Sequence, residues 1–333
     1  MGGRRFKDGA GVSLTDLFGL WAREHRRDDK PERTVGDYRQ KIESLQVWLG
    51  HEDAEKITAR QIIDWCDHLR DERELSPRTV KTKYLAAVRT VFRLDVERLA
   101  IAVDPTSTVR VRGRGKVKER SRGFTDDEAR AILTTALCDP SALGGMAERH
   151  KLAVRWLPWI GAYTGARITE LAQLRKQDFF TEAGIACIKI TPEAGRVKTG
   201  EFRCVPLHPH LLEMGLLAVV KGRPEGHLFA IPGDSAQETY RRCENAGAAV
   251  AKWVRRSTGV TDKRVWPTHG WRHRFKRIAA IADIAPDYVD MIEGHSLAGG
   301  GSGKSYREAE MQTLFREVQK LPRYEWPEDD CSA

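Results

Sequence analysis

The sequence predicts a mainly α chain in two domains, with a small β-sheet or hairpin in the second. Three observations predict it. Apolar residues recur at helical spacing from Ser13 to about Pro105. A run of alternating cations then interrupts the pattern, as a boundary between two cores would. Beyond it helical periodicity resumes, broken by two short β-like runs joined through glycines. At 333 residues the chain is long enough for two such cores.

Within the first domain, 13–105, Leu14, Leu17, Phe18 and Trp21 form one amphipathic stripe, and Tyr38, Ile42, Leu45 and Leu49 a second. Thr58-x-x-Gln61 is a capping box, and Ser76-Pro77 an N-cap followed by proline at the first helical position. The helix that follows turns Val80, Tyr84, Leu85, Val88 and Phe92 inward. Its polar positions carry Arg78, Lys81, Lys83, Arg89 and Arg93, a face that suits solvation and phosphate contact alike. Asp104-Pro105 ends the helices. Arg110, Arg112, Arg114, Lys116, Lys118, Arg120 and Arg122 then place a cation at every second residue. Like charges so spaced repel one another, so 106–122 is expected to be an extended basic linker. Laid along a duplex, it could neutralise several phosphates.

The second domain, 123–333, opens on the capping box Thr125-x-x-Glu128. Helical periodicity runs through Leu133 and Leu137 and again from Leu152 to Ile160. Ile185–Ile190 and the run from Phe202 to Leu207 read as strands, with Gly195 and Gly200 in their connection. Pro286 opens a short helix that ends before Gly294.

Composition narrows the function classes. An apolar share of 41% and a charged share of 31% exclude a fibrous or wholly disordered chain. No stretch approaches the roughly 18 apolar residues of a spanning helix, so no membrane partner is expected. Residues 1–12 carry charge without an apolar segment behind it and read as a flexible basic tail, not a signal peptide. The net charge of +9 suits a polyanionic partner. The six cysteines show no zinc spacing; Cys187 and Cys204 read as core thiols, and a reducing cytoplasm is the simplest location.

Chemistry concentrates in the second domain. Pro267-Thr-His-Gly-Trp-Arg-His-Arg-Phe275 puts His269 and Arg272 three residues apart on one helical face, while Trp271, Phe275 and Ile278 can turn into a core. A fixed cation beside a proton-handling ring suits a site that grips a phosphate. Arg167 follows the turn at Gly165 and starts a helix, where free backbone N–H groups favour an anion, and Glu170 lies one turn on to hold its guanidinium. Lys198 lies in the turn between the two strands. His295 follows Gly294, and Tyr306 comes eleven residues later across a glycine-dense tract at 299–303, which suggests delivery by a moving segment. Taken singly, each has an ordinary structural explanation.

The order Arg167, Lys198, His269-x-x-Arg272, Gly294-His295, Tyr306 closely resembles the tyrosine recombinase (phage integrase) family. Thr164-Gly-Ala-Arg-Ile-Thr-Glu170, Lys198 before Arg203-Cys-Val-Pro-Leu207, and Pro267-Thr-His-Gly-Trp-Arg-His273 are the stretches that match its motifs. The likeness is strong from about Arg122 to Leu321 and weaker over 13–105, which is similar to the family's core-binding, SAM-like domain. Departures are Gly270-Trp271 for an acidic-Leu pair, Glu293 for the leucine usual before Gly-His, and the glycine tract for a Ser/Thr-rich one.

The resemblance implies a site-specific recombinase that cuts and rejoins DNA through a 3′-phosphotyrosine on Tyr306, to integrate or excise a mobile element. Arg167, Arg272 and His295 would bind the phosphate, Lys198 would be general acid, and His269 would assist the tyrosine. It also implies a two-domain C-shaped clamp on double-stranded DNA and a homotetramer on paired sites, from a chain that can be monomeric alone. Neither metal nor cofactor is called for. Leu314 to Val318 repeat apolar positions and are expected to dock on a neighbouring subunit. Tyr324 is the nearest rival nucleophile and reads as a packing residue. The competing readings are a topoisomerase IB-like relaxing enzyme, a non-catalytic DNA-binding protein on the same fold, and a metal hydrolase built on His269, His273 and His295.

Overall fold

The computed structural model describes residues 12–28, 30, 32–98, 100–113, 119–295 and 310–324. The chain divides into two compact units, Met1–Val117 and Lys118–Ala333. Their described residues are mainly helical, with one three-stranded sheet.

The first unit comprises α1 (Leu14–Arg27), α2 (Glu32–Leu49), α3 (Ala59–Asp71), α4 (Pro77–Thr79) and α5 (Ala86–Glu97). A π-helical stretch, Val80–Leu85, joins α4 to α5. Capping boxes at Ser13 and Thr58 and an N-cap at Ser76 satisfy the free N–H groups that begin α1, α3 and α4. The wider π turn explains the spacing of the apolar stripe. Val80 and Leu85, both buried, share one face at a five-residue step, and Val88 and Phe92 continue it at helical steps. Leu17, Leu45, Trp65 and Phe92 fill the centre, and Trp21 stacks on Tyr38 at 4.6 Å.

The stretch after Pro105 departs from the expected extended linker. Val109 is buried and Val111 packs beside it, while Arg110 and Arg112 point outward. Alternation thus builds a ribbon with one apolar edge, and valine burial outweighs the repulsion between exposed cations. Arg89, expected on the phosphate-facing side, instead donates to the carbonyls of Thr106 (3.0 Å) and Val109 (2.8 Å) and pins this stretch. Arg78, Lys81, Lys83 and Arg93 are exposed. Arg114, Lys116 and Lys118 lie outside the described residues. Arg120 is likewise no free cation: it pairs with Glu128 (2.7 Å) and Asp262 (2.9 Å) inside the second unit.

The second unit is built on α7 (Glu148–Thr164), whose C-terminal two-thirds are buried. Before it comes α6 (Asp126–Thr135), and after it α8 (Ile168–Ala172). The strands β1 (Phe179–Glu182), β2 (Ile185–Ile190) and β3 (Arg203–Pro206) form an antiparallel meander in that order, with Ile188 opposite Phe179 and Val205. Then follow α9 (Pro209–Glu213), α10 (Leu216–Lys221), α11 (Ala236–Ser257), α12 (Pro267–Ile281), α13 (Pro286–Glu293) and α14 (Met311–Gln319). Helices α11, α12 and α8 pack on α7 around Trp159, Tyr163 and Phe275. No described helix is long and apolar enough to cross a membrane.

Two further expectations change. Leu314 and Val318 do not await a neighbour: α14 packs on β2, β3 and α13, and both side chains are buried in this unit's own core. Cys187 is buried beside Met311, but Cys204 is only half-buried on the neighbouring strand. The residues that follow α14 are stitched down. His208 Nε2 donates to the Leu321 carbonyl (3.2 Å), and the Tyr324 N–H donates to the Tyr163 hydroxyl (3.1 Å).

Candidate active site

Two helix ends and one helix start frame the site. α7 stops at Gly165, whose φ of 60° is left-handed, so the chain turns sharply and Arg167 becomes the N-cap of α8. A side chain at 165 would also meet Glu293 and Phe275, each at 2.7 Å, so the turn is closed to anything larger than glycine. α13 stops in the same way at Gly294 (φ 70°), where a Cβ would strike the Arg203 guanidinium. Between these ends lies the first half of α12, which presents His269 and Arg272. Phe124 pressed on Gly270, and Trp271 against Gly161 and Phe124, account for the Gly-Trp pair: the helix seats too closely here for a side chain at 270.

The arginines are held from behind. Glu170, 2% exposed, takes Arg167 Nη1 at 2.7 Å and Arg203 Nη2 at 2.6 Å. Burial alone would raise its pKa, but Arg203 and then Arg167 outweigh that and hold the carboxyl below its ordinary value. Arg203 Nε also donates to the Ile292 carbonyl (3.1 Å), which ties β3 to the end of α13. Arg272 is buried and donates through Nη1 to the carbonyls of Gly165 (3.0 Å) and Glu293 (2.7 Å). Burial pushes its pKa down to about 10, so it stays cationic at neutral pH. Its Nη2 has Glu293 at 3.5 Å and makes no hydrogen bond among the described residues, leaving a donor unused.

The structure brings five of the six expected residues together. His269 is held below its ordinary pKa first by burial, then by the charges of Arg167, Arg272 and Lys198. Its ring keeps accessible surface, yet it feels three separate cations, so the four groups share one neighbourhood. Lys198 stands exposed in the turn that Gly200 closes onto Val197. His295 follows Gly294, and its backbone N–H donates to the Asp290 carbonyl (2.9 Å). Burial, then Arg272 and Lys276, lower its pKa as well. Tyr306 lies outside the described residues. The rival Tyr324 is buried, accepts from Arg274 Nε (3.3 Å) and has its pKa raised by burial, as a packing residue should. A cleft lined by Arg122, Arg264, Trp266, His269 and His273 opens beside His269.

Sequence reasoning named Glu170 but missed Arg203, Lys276 and the role of Glu293. Glu293 is fully buried, and neither carboxylate oxygen makes a hydrogen bond among the described residues. Its nearest cations, Arg272 Nη2 and Lys276 Nζ, are both at 3.5 Å, an ion-pair distance and not a hydrogen bond. Burial pushes its pKa up to about 7 against those charges. Asp290, Glu293 and His295 bring ligand-type atoms within 4.8 Å of one another, but the Lys276 ammonium is within 3.5 Å of all three. That charge already serves where a metal ion would sit. The set expected of a hydrolase, His269, His273 and His295, is not the one grouped at ligand distance among the described residues.

Residues 28–98 match the family model described as phage integrase, N-terminal SAM-like domain. A lambda integrase (75–356) dimer bound to a COC′ core site superposes with a TM-score of 0.61 at 17% identity, over 86% of this chain and 96% of that one. The fold is that of the tyrosine recombinases. XerH site-specific recombinase bound to difH is similar at a TM-score of 0.56 and 16% identity, over 94% of this chain and 89% of that one. Tn1549 transposon integrase bound to a circular intermediate DNA reaches 0.60 and 17%, over 92% and 95%. No curated protein matches. The recombinase fold thus spans both units, and the grouped arginines and histidines sit in its second one.

Proposed function

We propose that the chain is a site-specific DNA recombinase that cleaves and rejoins DNA through a phosphotyrosine. The observation that carries this reading is the shared neighbourhood of Arg167, Lys198, His269 and Arg272. Arg272, buried and backed by carbonyls, and the half-buried Arg167, held by Glu170, suit a bidentate anion, and a phosphodiester is such an anion.

In the first step the Tyr306 oxygen attacks the scissile phosphorus, forming a tyrosine–phosphorus bond. The bond to the 5′-oxygen breaks, leaving a 3′-phosphotyrosine and a 5′-hydroxyl. Ionising a free tyrosine at neutral pH costs about 4 kcal/mol, so a neutral His269 that accepts the phenolic proton offsets part of the barrier. Its depressed pKa keeps it neutral for that role. Arg167 and Arg272 take the charge that builds on the non-bridging oxygens, and His295 donates a further hydrogen bond. Lys198 gives a proton to the departing 5′-oxygen. The 5′-hydroxyl of a partner strand reverses the step, and the ester conserves the bond energy.

The partner is double-stranded DNA at an attachment site, inside a bacterial or phage-infected cell. Arg78, Lys81, Lys83 and Arg112 supply exposed cations for phosphates, and Arg110 is exposed too although its Nη1 donates to the Ser107 and Val109 carbonyls. Arg89 is withdrawn, because its guanidinium is committed to Thr106 and Val109. Solved structures of this fold include a lambda integrase tetramer on a Holliday junction, which supports a tetramer as the working unit here. The first unit, whose core takes in Val12 at one end and Val109 at the other, is the core-binding domain, and the second unit is the catalytic domain.

The test is a nicked suicide substrate carrying the attachment site. The expected result is a covalent protein–DNA adduct that survives EDTA and is lost in Tyr306→Phe. Tight DNA binding without an adduct would assign a non-cleaving DNA-binding protein instead. An adduct that relaxes supercoils but never exchanges strands between two sites would assign a topoisomerase.

A further inference from the structure

We infer that Lys276 and Glu293 form a positioning device for His295, fixing the imidazole as the tautomer that carries its proton on Nε2. This rests on the reading of His295 as a phosphate donor, yet the device itself is a matter of geometry in the free protein.

Lys276 Nζ lies 2.8 Å from His295 Nδ1. An ammonium has donors and no acceptor, so Nδ1 can take part only with its lone pair. A proton on Nδ1 would instead face Asp290 Oδ1 at 3.3 Å and Glu293 Oε2 at 3.4 Å, both longer contacts. Two arrangements therefore compete, and the shorter contact selects the first. A neutral ring that accepts at Nδ1 must carry its hydrogen on Nε2. The lowered pKa of His295, caused by burial and then by Arg272 and Lys276, keeps the ring neutral.

Glu293 explains why a lysine can stand there. Lys276 is one turn beyond Arg272 on α12, so two cations crowd the same edge of the site. Glu293 reaches both at 3.5 Å from the end of α13, and Asp290 adds a second carboxylate at 3.5 Å from Lys276. The charged groups facing His295 are thus Lys276 and Arg272 from α12 and Asp290 and Glu293 from α13. A leucine at 293, usual before Gly-His in the resembling family, would leave Lys276 with Asp290 alone. On acidification Glu293, raised to about 7, is protonated first; when His295 then gains a proton on Nδ1, Lys276 must withdraw and Asp290 becomes the partner. The tautomer lock therefore belongs to neutral and alkaline pH.

The test uses the full chain labelled with ¹⁵N-histidine. Long-range ¹H–¹⁵N spectra read the tautomer and titration of His295, assigned by its absence in His295→Asn. Wild type is expected to have a protonated Nε2 and a bare Nδ1 at neutral pH. Lys276→Met should mix the tautomers, raise the His295 titration point and slow suicide-substrate cleavage roughly 10-fold or more, as loss of an orienting partner does elsewhere. Lys276→Arg, which keeps a donor, should restore the wild-type spectrum. Lys276→Gln serves if the methionine variant does not fold. A proton on Nδ1 in wild type, or an unchanged spectrum in Lys276→Met or Lys276→Gln, would overturn the inference. If wild type never cleaves DNA, the recombinase reading falls, while the spectra still decide the role of Lys276.

Discussion

Two buried glutamates back the arginines of the site, and they behave in opposite ways. Glu170, near the start of α8, meets two guanidiniums at 2.6 and 2.7 Å and is held below its ordinary pKa. Glu293, at the end of α13, meets two cations at 3.5 Å and is pushed up to about 7. Burial is nearly equal. The difference is whether the charge is met by direct hydrogen bonds, and under an ångström decides it. One carboxylate is a fixed brace; the other is poised to change its protonation near neutral pH.

The harshest way to break the contrast is Glu170→Ala. It leaves the half-buried Arg167 and Arg203 without their carboxylate, and a loss of up to about 3–5 kcal/mol is expected in urea denaturation. A loss below about 1 kcal/mol would mean that the brace is ornamental.

Glu293→Gln sharpens the contrast through pH. A folded pKa above the unfolded one means the folded state holds the proton more tightly. Stability from Glu293 is therefore present below the ordinary carboxylate range and lost as pH rises through about 7. The slope amounts to about 3 kcal/mol at most. Denaturation midpoints measured from pH 4 to 8 should lose that slope in Glu293→Gln. Glu170 runs the other way. Its contribution is present above the ordinary range and lost as pH falls through its lowered value, so Glu293→Gln should leave the acid limb untouched.

The mildest change is Lys198→Met. Lys198 is exposed, so stability should stay within about 0.5 kcal/mol. His269 loses one of its three depressing charges, and its titration in a histidine NMR experiment should move upward. No movement would separate Lys198 from the site.

Much of this was legible in the sequence, because residues near in sequence report on local geometry. The capping boxes at Thr58 and Thr125, the strand at Ile185–Ile190 and the helix Pro286–Glu293 all follow from short-range rules. So does the helical face shared by His269 and Arg272. Errors begin where burial depends on a distant partner. Periodicity in Leu314 and Val318 announces a covered face without saying what covers it. Alternating arginines announce repulsion, but the valines between them find a core. The strand Phe179–Glu182 is short and lacks a clean alternation, so only its pairing with Ile185–Ile190 reveals it. Lys276 and Glu293 lie 17 positions apart, and nothing local couples them; α12 and α13 must pack before the pair exists.

Arg89 carries a practical consequence for dissecting the gene. Codon 105, where the helices end on paper, is the wrong place for a stop. A fragment cut there would take both carbonyls from the Arg89 guanidinium and uncover the hollow that Val109 fills. Extending the reading frame through Gly113, which lies against Pro77, keeps that wall intact, so the longer fragment is the one to clone.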